Sequence, residues 1–379
     1  MQDVFITKIH VEKVRHLQDI KILLSDTERK HLILTGKNGS GKTSLLEAMR
    51  DSVLFEQQRI KPDGTRSLAV GGLKKKPNIV VSYSQNISNF SNFIFAYTSA
   101  WRSKLKPPKS IEAFTIKDED KAKVSENASQ NFLKYILILD YQRYGAKNDK
   151  NTTLVAKFDK WFNNFLIALR EIYSCSELNL LQDTKNLSFK IEMPGREPFG
   201  LHEMADGYTA FLDIFMELLM RFENTDAVVE YEQSAIVMVD EIETHLHVEL
   251  QKRVLPFLTK MFPNVQFIVS IHSPFVINSL ENAVVYDLEK KEKLDNPSFY
   301  SYETIVESFL GTGTYSNELK NYFERYKELC LKKRTSEENE EFLRAKAELE
   351  IRSIPSTELY IAFQDLERRR KAVRNDSSK

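Results

Sequence analysis

Two stretches of the sequence combine residue types that handle phosphate, and the first is GKNGSGKT at residues 36–43. It follows the apolar run HLILT and opens a segment with helical apolar spacing, so it joins a predicted strand to a predicted helix. Its glycines let backbone N–H groups turn inward around phosphate oxygens, and the helix N-terminus adds positive potential. Lys42 would place its charge on the β- and γ-phosphates, and the Thr43 hydroxyl would bind Mg²⁺. The predicted nucleotide-binding residues of this loop are Gly36, Lys37, Asn38, Gly39, Ser40, Gly41, Lys42, Thr43 and Ser44.

The second stretch is AIVMVDE at residues 235–241, where five apolar residues carry a predicted strand to a pair of carboxylates. Asp240 would hold Mg²⁺ through water, and Glu241 would act as general base on the attacking water. Another apolar strand ends in IVSIHSP at 268–274, one helix further along the chain. Its strand should lie beside the carboxylate strand, so the imidazole of His272 could reach the γ-phosphate. The predicted catalytic residues are therefore Lys42, Glu241 and His272.

A third stretch, ETHLHVEL at residues 243–250, clusters Glu243, His245 and His247. It lacks the H-E-x-x-H spacing of zinc hydrolases, and no third ligand group accompanies it. Two interpretations stay open, a metal site and a loop that contacts another subunit, and the second is favoured.

Composition excludes several protein classes. With 54 basic and 54 acidic side chains the formal net charge is zero, which argues against a uniformly basic polyanion binder. The two cysteines lie in unrelated contexts and predict no disulfide framework. No apolar run approaches the length of a membrane span, and the first residues lack the pattern of a signal peptide. These features predict a cytoplasmic chain without a membrane partner.

Strands that alternate with helices predict an α/β fold with a mixed, helix-covered sheet and an antiparallel N-terminal hairpin. Residues 1–300 are predicted to form this domain, with an insertion at about 56–135 and a helical lobe at about 150–222. Residues 301–379 are predicted to be a helical extension. The run YILILDYQRYG at 135–145 is predicted as a buried strand followed by a loop, and the polar, lysine-rich stretch 102–130 as an insertion without a core.

The loop at 36–43, the Asp240–Glu241 pair and His272 resemble the Walker A, Walker B and switch histidine of ABC-type ATPases. The similar branch is the SMC/RecF-like group, and the match includes the opening segment IHVEKVRHLQDIKI. DEIETHLHVELQ and IHSPFVINSL look like the compact bacterial members, which include the overcoming-lysogenisation-defect, Septu, PARIS and Gabija defence ATPases. The resemblance covers about residues 1–290 and implies an ABC-type head that uses ATP and Mg²⁺.

The resemblance also implies roles for residues outside the two phosphate stretches. MADGY at 204–208 occupies the place of the ABC signature, which binds the γ-phosphate held by an opposite subunit, so Ala205, Asp206 and Gly207 are expected to bind nucleotide. Ala205 stands where the family has serine, which removes one hydroxyl contact. Gln142 resembles the glutamine that contacts Mg²⁺, and Arg15 in the first hairpin is expected to contact nucleotide.

The implied partners are a second copy of the chain, in a homodimer or higher homo-oligomer, and a separately encoded effector, expected to be a nuclease. Related ATPases continue into a nuclease domain, whereas residues 290–379 contain no histidine and no D-x-D pair, so no nuclease activity is expected here. Apolar stripes in the tail would either pack on the head or dock a partner. Two alternative functions stay open. One is a RecF-like repair ATPase that binds DNA through residues 74–76, 102–109 and the tail, and the other is a scaffold held together by ATP without hydrolysis.

Overall fold

The computed structural model describes residues 4–58, 78–85, 94–99, 132–183, 188–222, 233–301, 304–306, 317–330, 334–352, 362–368 and 370. The chain forms two compact units, residues 1–302 and 303–379. The predicted lysine-rich insertion at 102–130 and the basic residues 74–76 lie outside the described ranges. Of the helices within those ranges, none is long and apolar enough to cross a bilayer.

The strands of the described residues all lie in the first unit, and both units contain helices. The strands are β1 (Ile6–Val14), β2 (Leu17–Leu23), β3 (His31–Thr35), β4 (Ile79–Tyr83), β5 (Ile94–Thr98), β6 (Asn179–Asp183), β7 (Ser188–Met193), β8 (Arg196–Gly200), β9 (Ala235–Val239), β10 (Val265–Ser270), β11 (Ala283–Asp287) and β12 (Glu292–Asp295). The helices are α1 (Lys42–Gln58), α2 (Phe132–Asn148), α3 (Thr152–Tyr173), α4 (Asp206–Phe222), α5 (Val248–Met261), α6 (Pro274–Ile277), α7 (Asn317–Cys330) and α8 (Ser336–Arg352).

A six-stranded mixed sheet organises the first unit, in the order β12-β11-β3-β10-β9-β5. The strands from β11 to β5 are parallel to their neighbours, and β12 pairs antiparallel with β11. Every residue of β3, β9, β10 and β11 is buried, as expected for parallel strands covered on both faces. The carboxyl ends of parallel strands lie at the same edge of a sheet. The last residues of β3, β9 and β10, which are Thr35, Val239 and Ser270, therefore lie at one edge. The predicted α/β fold with a mixed sheet and an antiparallel N-terminal hairpin is confirmed.

The N-terminal hairpin covers the start of α1. Strands β1 and β2 pair antiparallel, and β4 adds to the other side of β1. The apolar face predicted for α1, Leu45, Leu46, Met49 and Val53, is fully buried against this hairpin and the central sheet. The hairpin is thereby fixed to the helix that follows the glycine loop.

The prediction of a buried strand followed by a loop at 135–145 is wrong, because this segment forms the middle of helix α2. The apolar residues of α2 pack on α3. The ring of Phe132, the first residue of α2, lies 5.2 Å from the ring of Phe165 and 6.2 Å from the ring of Trp161. The run YILILD is short and almost wholly apolar, so its period alone does not separate a buried strand from a buried helix. The three strands β6, β7 and β8 form a separate antiparallel sheet after α3.

The second unit has its own apolar core, built by α7, α8 and a helical segment at 362–368. Residues of the predicted stripes bury one another in this core, with Tyr326, Leu329, Phe342, Ala345, Leu349 and Phe363 at its centre. The buried hydroxyl of Tyr326 donates to Glu367, and Arg370 donates to both carboxylate oxygens of that residue. The stripes of the described tail helices are therefore used by the unit itself. Arg370 is likewise engaged in an internal ion pair, which does not favour a role in binding DNA.

Candidate nucleotide site

The loop between β3 and α1 has a backbone that only glycine adopts easily. Gly36 and Gly41 have φ of +135° and +99°, outside the range of ordinary residues. A Cβ on Gly36 would lie 2.8 Å from the Ser40 Oγ, and one on Gly41 would lie 3.0 Å from the Leu17 Cδ1. The loop thus needs glycine both for its conformation and for the close approach of the β1–β2 turn.

Lys42 begins α1 and turns its side chain back into the loop, where it is only 6% exposed. Its ammonium donates to the carbonyl oxygens of Gly36 at 2.7 Å and Lys37 at 3.2 Å. Burial lowers the pKa of Lys42, and the nearby carboxylates of Glu241 and Glu243 oppose that shift. The ammonium therefore sits at the centre of the loop, where phosphate oxygens would replace its carbonyl partners.

A single buried hydroxyl organises the two carboxylates after β9. The Ser270 Oγ, at the end of β10, donates to the Asp240 carboxylate and accepts a hydrogen bond from the Glu241 backbone N–H at 2.8 Å. Glu241 has φ of +46°, a left-handed conformation unusual for a residue with a side chain. Its carboxylate accepts from the Thr244 hydroxyl at 3.2 Å. This turn aims Glu241 away from the sheet while Asp240 stays buried, 3% exposed.

His272 lies between the lysine and the general-base candidate. Its Nδ1 is 3.5 Å from the Lys42 Nζ, and its Nε2 is 3.9 Å from the Glu241 Oε1. Burial and the charge of Lys42 lower the pKa of His272, against the pull of Glu241 and Asp240. The lowered pKa favours the neutral imidazole, which can both donate and accept a hydrogen bond.

These side chains open onto one cavity of about 510 Å³, within the roughly 300–1,000 Å³ typical of ligand sites. The cavity is lined by Arg15, His16, Asn38, Gly39, Gly41, Lys42, Thr43, Ser44, Glu241 and His272. The structure therefore brings together most of the predicted loop residues, Arg15, and the two residues Glu241 and His272 at the carboxyl edge of the sheet. His16 was missed by the sequence reasoning. Its Nε2 lies 3.2 Å from the Ser40 carbonyl oxygen, a contact between distant segments that no local motif reveals.

The residues present fit a nucleotide with Mg²⁺. Thr43 is exposed in the cavity wall, and Asp240 follows β9, which is separated from β3 by β10. The buried Ser40 Oγ has no hydrogen-bond partner among the described residues, in a loop otherwise shaped for oxygen ligands. Mg²⁺ bound with phosphates takes only one or two protein oxygens and keeps several waters. The assignment of Thr43 and Asp240 to the metal stays a prediction.

Gln142 does not lie at the predicted place. It is exposed in the middle of α2 and is not part of the cavity wall, because the strand-to-loop junction on which its assignment depended is a continuous helix. The strand beside β9 is instead β5, and the Asp240 backbone N–H donates to the Thr98 carbonyl oxygen at 2.9 Å. After β5 the described range includes one more residue, Ser99, and the next described residue is 132.

The segment Ala205–Gly207 begins α4 and does not line the same chain's cavity. Ala205 and Asp206 are exposed, whereas Gly207 is buried. A Cβ on Gly207 would lie 3.1 Å from the His247 Cδ2 and 3.3 Å from the His245 carbonyl oxygen. At Gly207 the start of the helix is therefore packed on the turn that follows the carboxylates, whereas Ala205 and Asp206 are exposed.

The cluster of Glu243, His245 and His247 does not converge on a metal. Glu243 accepts a hydrogen bond from the His272 backbone N–H, while His247 packs against Gly207. No group of three or more histidine, cysteine, aspartate or glutamate side chains suited to a metal ion occurs among the residues that the structure describes. The favoured interpretation, a contact loop, stays a prediction.

The chain is similar to one protein family and to several known proteins. Residues 80–278 match the AAA_21 family, described as an AAA domain and, as a proposed assignment, as the AbiEii toxin of a Type IV TA system. Septu protein PtuA from Bacillus mycoides (strain KBAB4) is 24% identical over 358 residues, and the match covers 85% of this chain and 47% of PtuA. The Retron Ec83 probable ATPase of Escherichia coli is 29% identical over 122 residues, covering 32% of this chain and 21% of the relative.

Among solved structures, an SMC head bound to the C-winged helix domain of ScpA covers 75% of this chain and 93% of its own, with 15% identity and a TM-score of 0.39. The chain spans less than half of the length of either curated relative named above.

Proposed function

The chain belongs to the AAA_21 family, and we propose that it binds ATP with Mg²⁺ and hydrolyses it in the cavity at the carboxyl edge of the central sheet. Its sequence is related to the Septu protein PtuA and to the Retron Ec83 probable ATPase. The observation that carries the proposal is the meeting of Lys42, His272 and Glu241 at one cavity. They come from three neighbouring strand ends, and the imidazole of His272 is within 3.5 Å of the lysine and 3.9 Å of the glutamate.

Each residue has a distinct part in the proposed reaction. The loop N–H groups and Lys42 hold the β- and γ-phosphates, and the ammonium exchanges its carbonyl partners for phosphate oxygens. Glu241 accepts a proton from water as the water oxygen bonds to the γ-phosphorus and the bond to the bridging oxygen of ADP breaks. His272 donates to a γ-phosphate oxygen. Thr43, and Asp240 through water, would hold Mg²⁺, which would supply positive charge beside the phosphates.

A complete site is proposed to need two copies of the chain. Ala205 and Asp206 are exposed at the start of α4, away from their own chain's cavity. Backbone N–H groups at a helix start can bind an anion, and a two-fold interface would present them to the nucleotide of the other copy. We propose that this homodimer controls a separately encoded effector, by relation to the Septu and retron ATPases.

Two substitutions test the proposal because they affect different steps. Lys42→Ala should abolish measurable ATP binding, since the phosphate charge loses its buried partner. Glu241→Gln should keep ATP affinity within about threefold of the wild type and lower turnover by roughly 10²–10⁴-fold, the range of general-base contributions. Lys293→Ala, on the edge strand β12 with its ammonium paired to Asp295, is the matched control and should change neither quantity.

Both quantities are measured on the whole chain, binding by calorimetry and turnover by phosphate release. Wild-type turnover in the Glu241→Gln variant would refute the assignment of the base.

One observation favours a second candidate, a scaffold that binds ATP without turning it over. Ala205 offers no hydroxyl, and Asp206 places a carboxylate in the first turn of α4, where it repels phosphate. A helix start with this chemistry would bind the γ-phosphate of another copy weakly. Tight ATP binding with no phosphate release from the wild-type chain would support the scaffold and overturn the proposed hydrolysis.

A further inference from the structure

Glu243 joins the turn after β9 to the turn after β10. Its Oε1 accepts a hydrogen bond from the backbone N–H of His272, although the two residues are 29 positions apart. Glu243 lies two residues beyond Glu241, so one carboxylate connects the segment of the predicted base to the segment of the histidine. The ring of His272 is within 3.9 Å of Glu241 and 3.5 Å of Lys42, so its backbone position sets both distances.

The environment of Glu243 is costly for an ionised side chain. Its Oε2 is buried and has no hydrogen-bond partner among the described residues. Burial raises the pKa of Glu243 and the neighbouring charge of Glu241 adds to that shift, whereas the backbone N–H groups of His272, Ser273 and Glu243 itself oppose it. A carboxylate that only filled space could be replaced by an apolar group without loss, so the hydrogen bond to His272 is the contact that distinguishes Glu243 from such a group.

We propose that Glu243 is a positioning residue, whose hydrogen bond to the His272 backbone fixes the place of the imidazole between Lys42 and Glu241. The contact needs one acceptor oxygen and no negative charge. Its effect on turnover rests on the proposed ATP hydrolysis, whereas the fastening of His272 can be measured without nucleotide.

Two substitutions of nearly equal length separate the acceptor from the bulk of the side chain. Glu243→Gln keeps a carbonyl oxygen that can accept from His272, and Glu243→Met fills the same space without an acceptor. Glu292→Ala, an exposed glutamate on β12, is the control for loss of a carboxylate elsewhere. Because Met and Gln retain the buried volume, both variants are expected to fold, and their thermal midpoints are compared first.

The first measurement is hydrogen–deuterium exchange at the His272 amide in the nucleotide-free chain. Glu243→Met should raise the exchange rate about tenfold or more, whereas Glu243→Gln and Glu292→Ala should stay within about threefold of the wild type. The second is ATP affinity and turnover. Glu243→Met should lower kcat by roughly 10–100-fold with affinity changed less than about threefold, since misplacement by about an ångström is enough for this loss. Glu243→Gln should retain at least about a third of the wild-type kcat.

If Glu243→Met leaves the exchange rate at the His272 amide unchanged, the proposed positioning role of Glu243 is overturned. An equal rise of that rate in Glu243→Gln and Glu243→Met would overturn it as well. Altered exchange with wild-type kcat in Glu243→Met would overturn its catalytic consequence. If exchange responds as expected but the wild-type chain releases no phosphate, the fastening is supported and the proposed hydrolysis fails.

Discussion

Ser270→Ala removes the one hydroxyl that contacts both carboxylate residues. Ser270 is fully buried, its Oγ donates to Asp240, and it accepts from the Glu241 N–H at 2.8 Å. A hydrogen bond to a charged group contributes about 1.5–3 kcal/mol and a neutral one about 1 kcal/mol, and the change leaves two polar groups without this partner. We therefore expect the free energy of unfolding to fall by about 2–4 kcal/mol.

The same change should slow catalysis through Glu241. Its left-handed backbone, φ +46°, costs about 1–2 kcal/mol, and the bond to Ser270 offsets part of that cost. Without the bond the turn relaxes and the carboxylate leaves its place. Each 1.4 kcal/mol corresponds to about tenfold in rate, so kcat should fall by about 10–100-fold. ATP affinity should change less than about threefold, because the glycine loop and Lys42 are untouched.

Urea unfolding and steady-state phosphate release measure the two effects. Ser279→Ala is the matched control, because it removes one hydroxyl that donates to the Val276 carbonyl oxygen in a partly buried turn. It should cost no more than about 1 kcal/mol and leave kcat unchanged. A normal kcat in Ser270→Ala, despite the expected loss of stability, would refute the view that Ser270 holds the base in place.

Two further predictions concern pH and the proposed dimer. Burial, with Arg29 nearby, lowers the pKa of His31 from 6.5 to about 4. The unfolded chain therefore binds this proton at a higher pH than the folded chain. The free energy of unfolding should fall by up to about 3 kcal/mol as the pH drops from 6.5 to 4. His31→Asn, which can still accept from the Phe267 N–H, should flatten that slope in urea titrations, and an unchanged slope would contradict the assignment. Equal mixing of Lys42→Ala and Ala205→Glu chains should recover about a quarter of wild-type ATP turnover, since half of the dimers then hold one intact composite site. No recovery with mixed dimers detected would count against that site.

The sequence was sufficient where its pattern was local. The glycine loop, the buried strands β9 and β10 and the helix between those two strands follow from spacing and apolar runs, because motif and period determine them directly. The hairpin of β1 and β2 was equally readable from alternation.

Contacts between distant segments were not readable. The run at 135–145 became α2 because Phe132 meets the aromatic rings of α3, a tertiary contact that overrides a strand-like pattern. That error also displaced Gln142. His16 and Glu243 act on Ser40 and His272, and no period or motif links residues so far apart. Glu243 could have been suspected from its place two residues after Glu241, but the nearby histidines led only to a metal site and a subunit-contact loop being considered.

The most direct test is a structure of the Glu241→Gln chain with ATP and Mg²⁺. The account predicts an intact triphosphate in the loop from Gly36 to Thr43, with the His272 imidazole within hydrogen-bond distance of the γ-phosphate. It further predicts Ala205–Gly207 of a second copy on the opposite side of that phosphate. Nucleotide bound elsewhere, or a triphosphate in this loop with the substituted side chain at position 241 turned away from the γ-phosphate, would contradict the proposal that this cavity hydrolyses ATP.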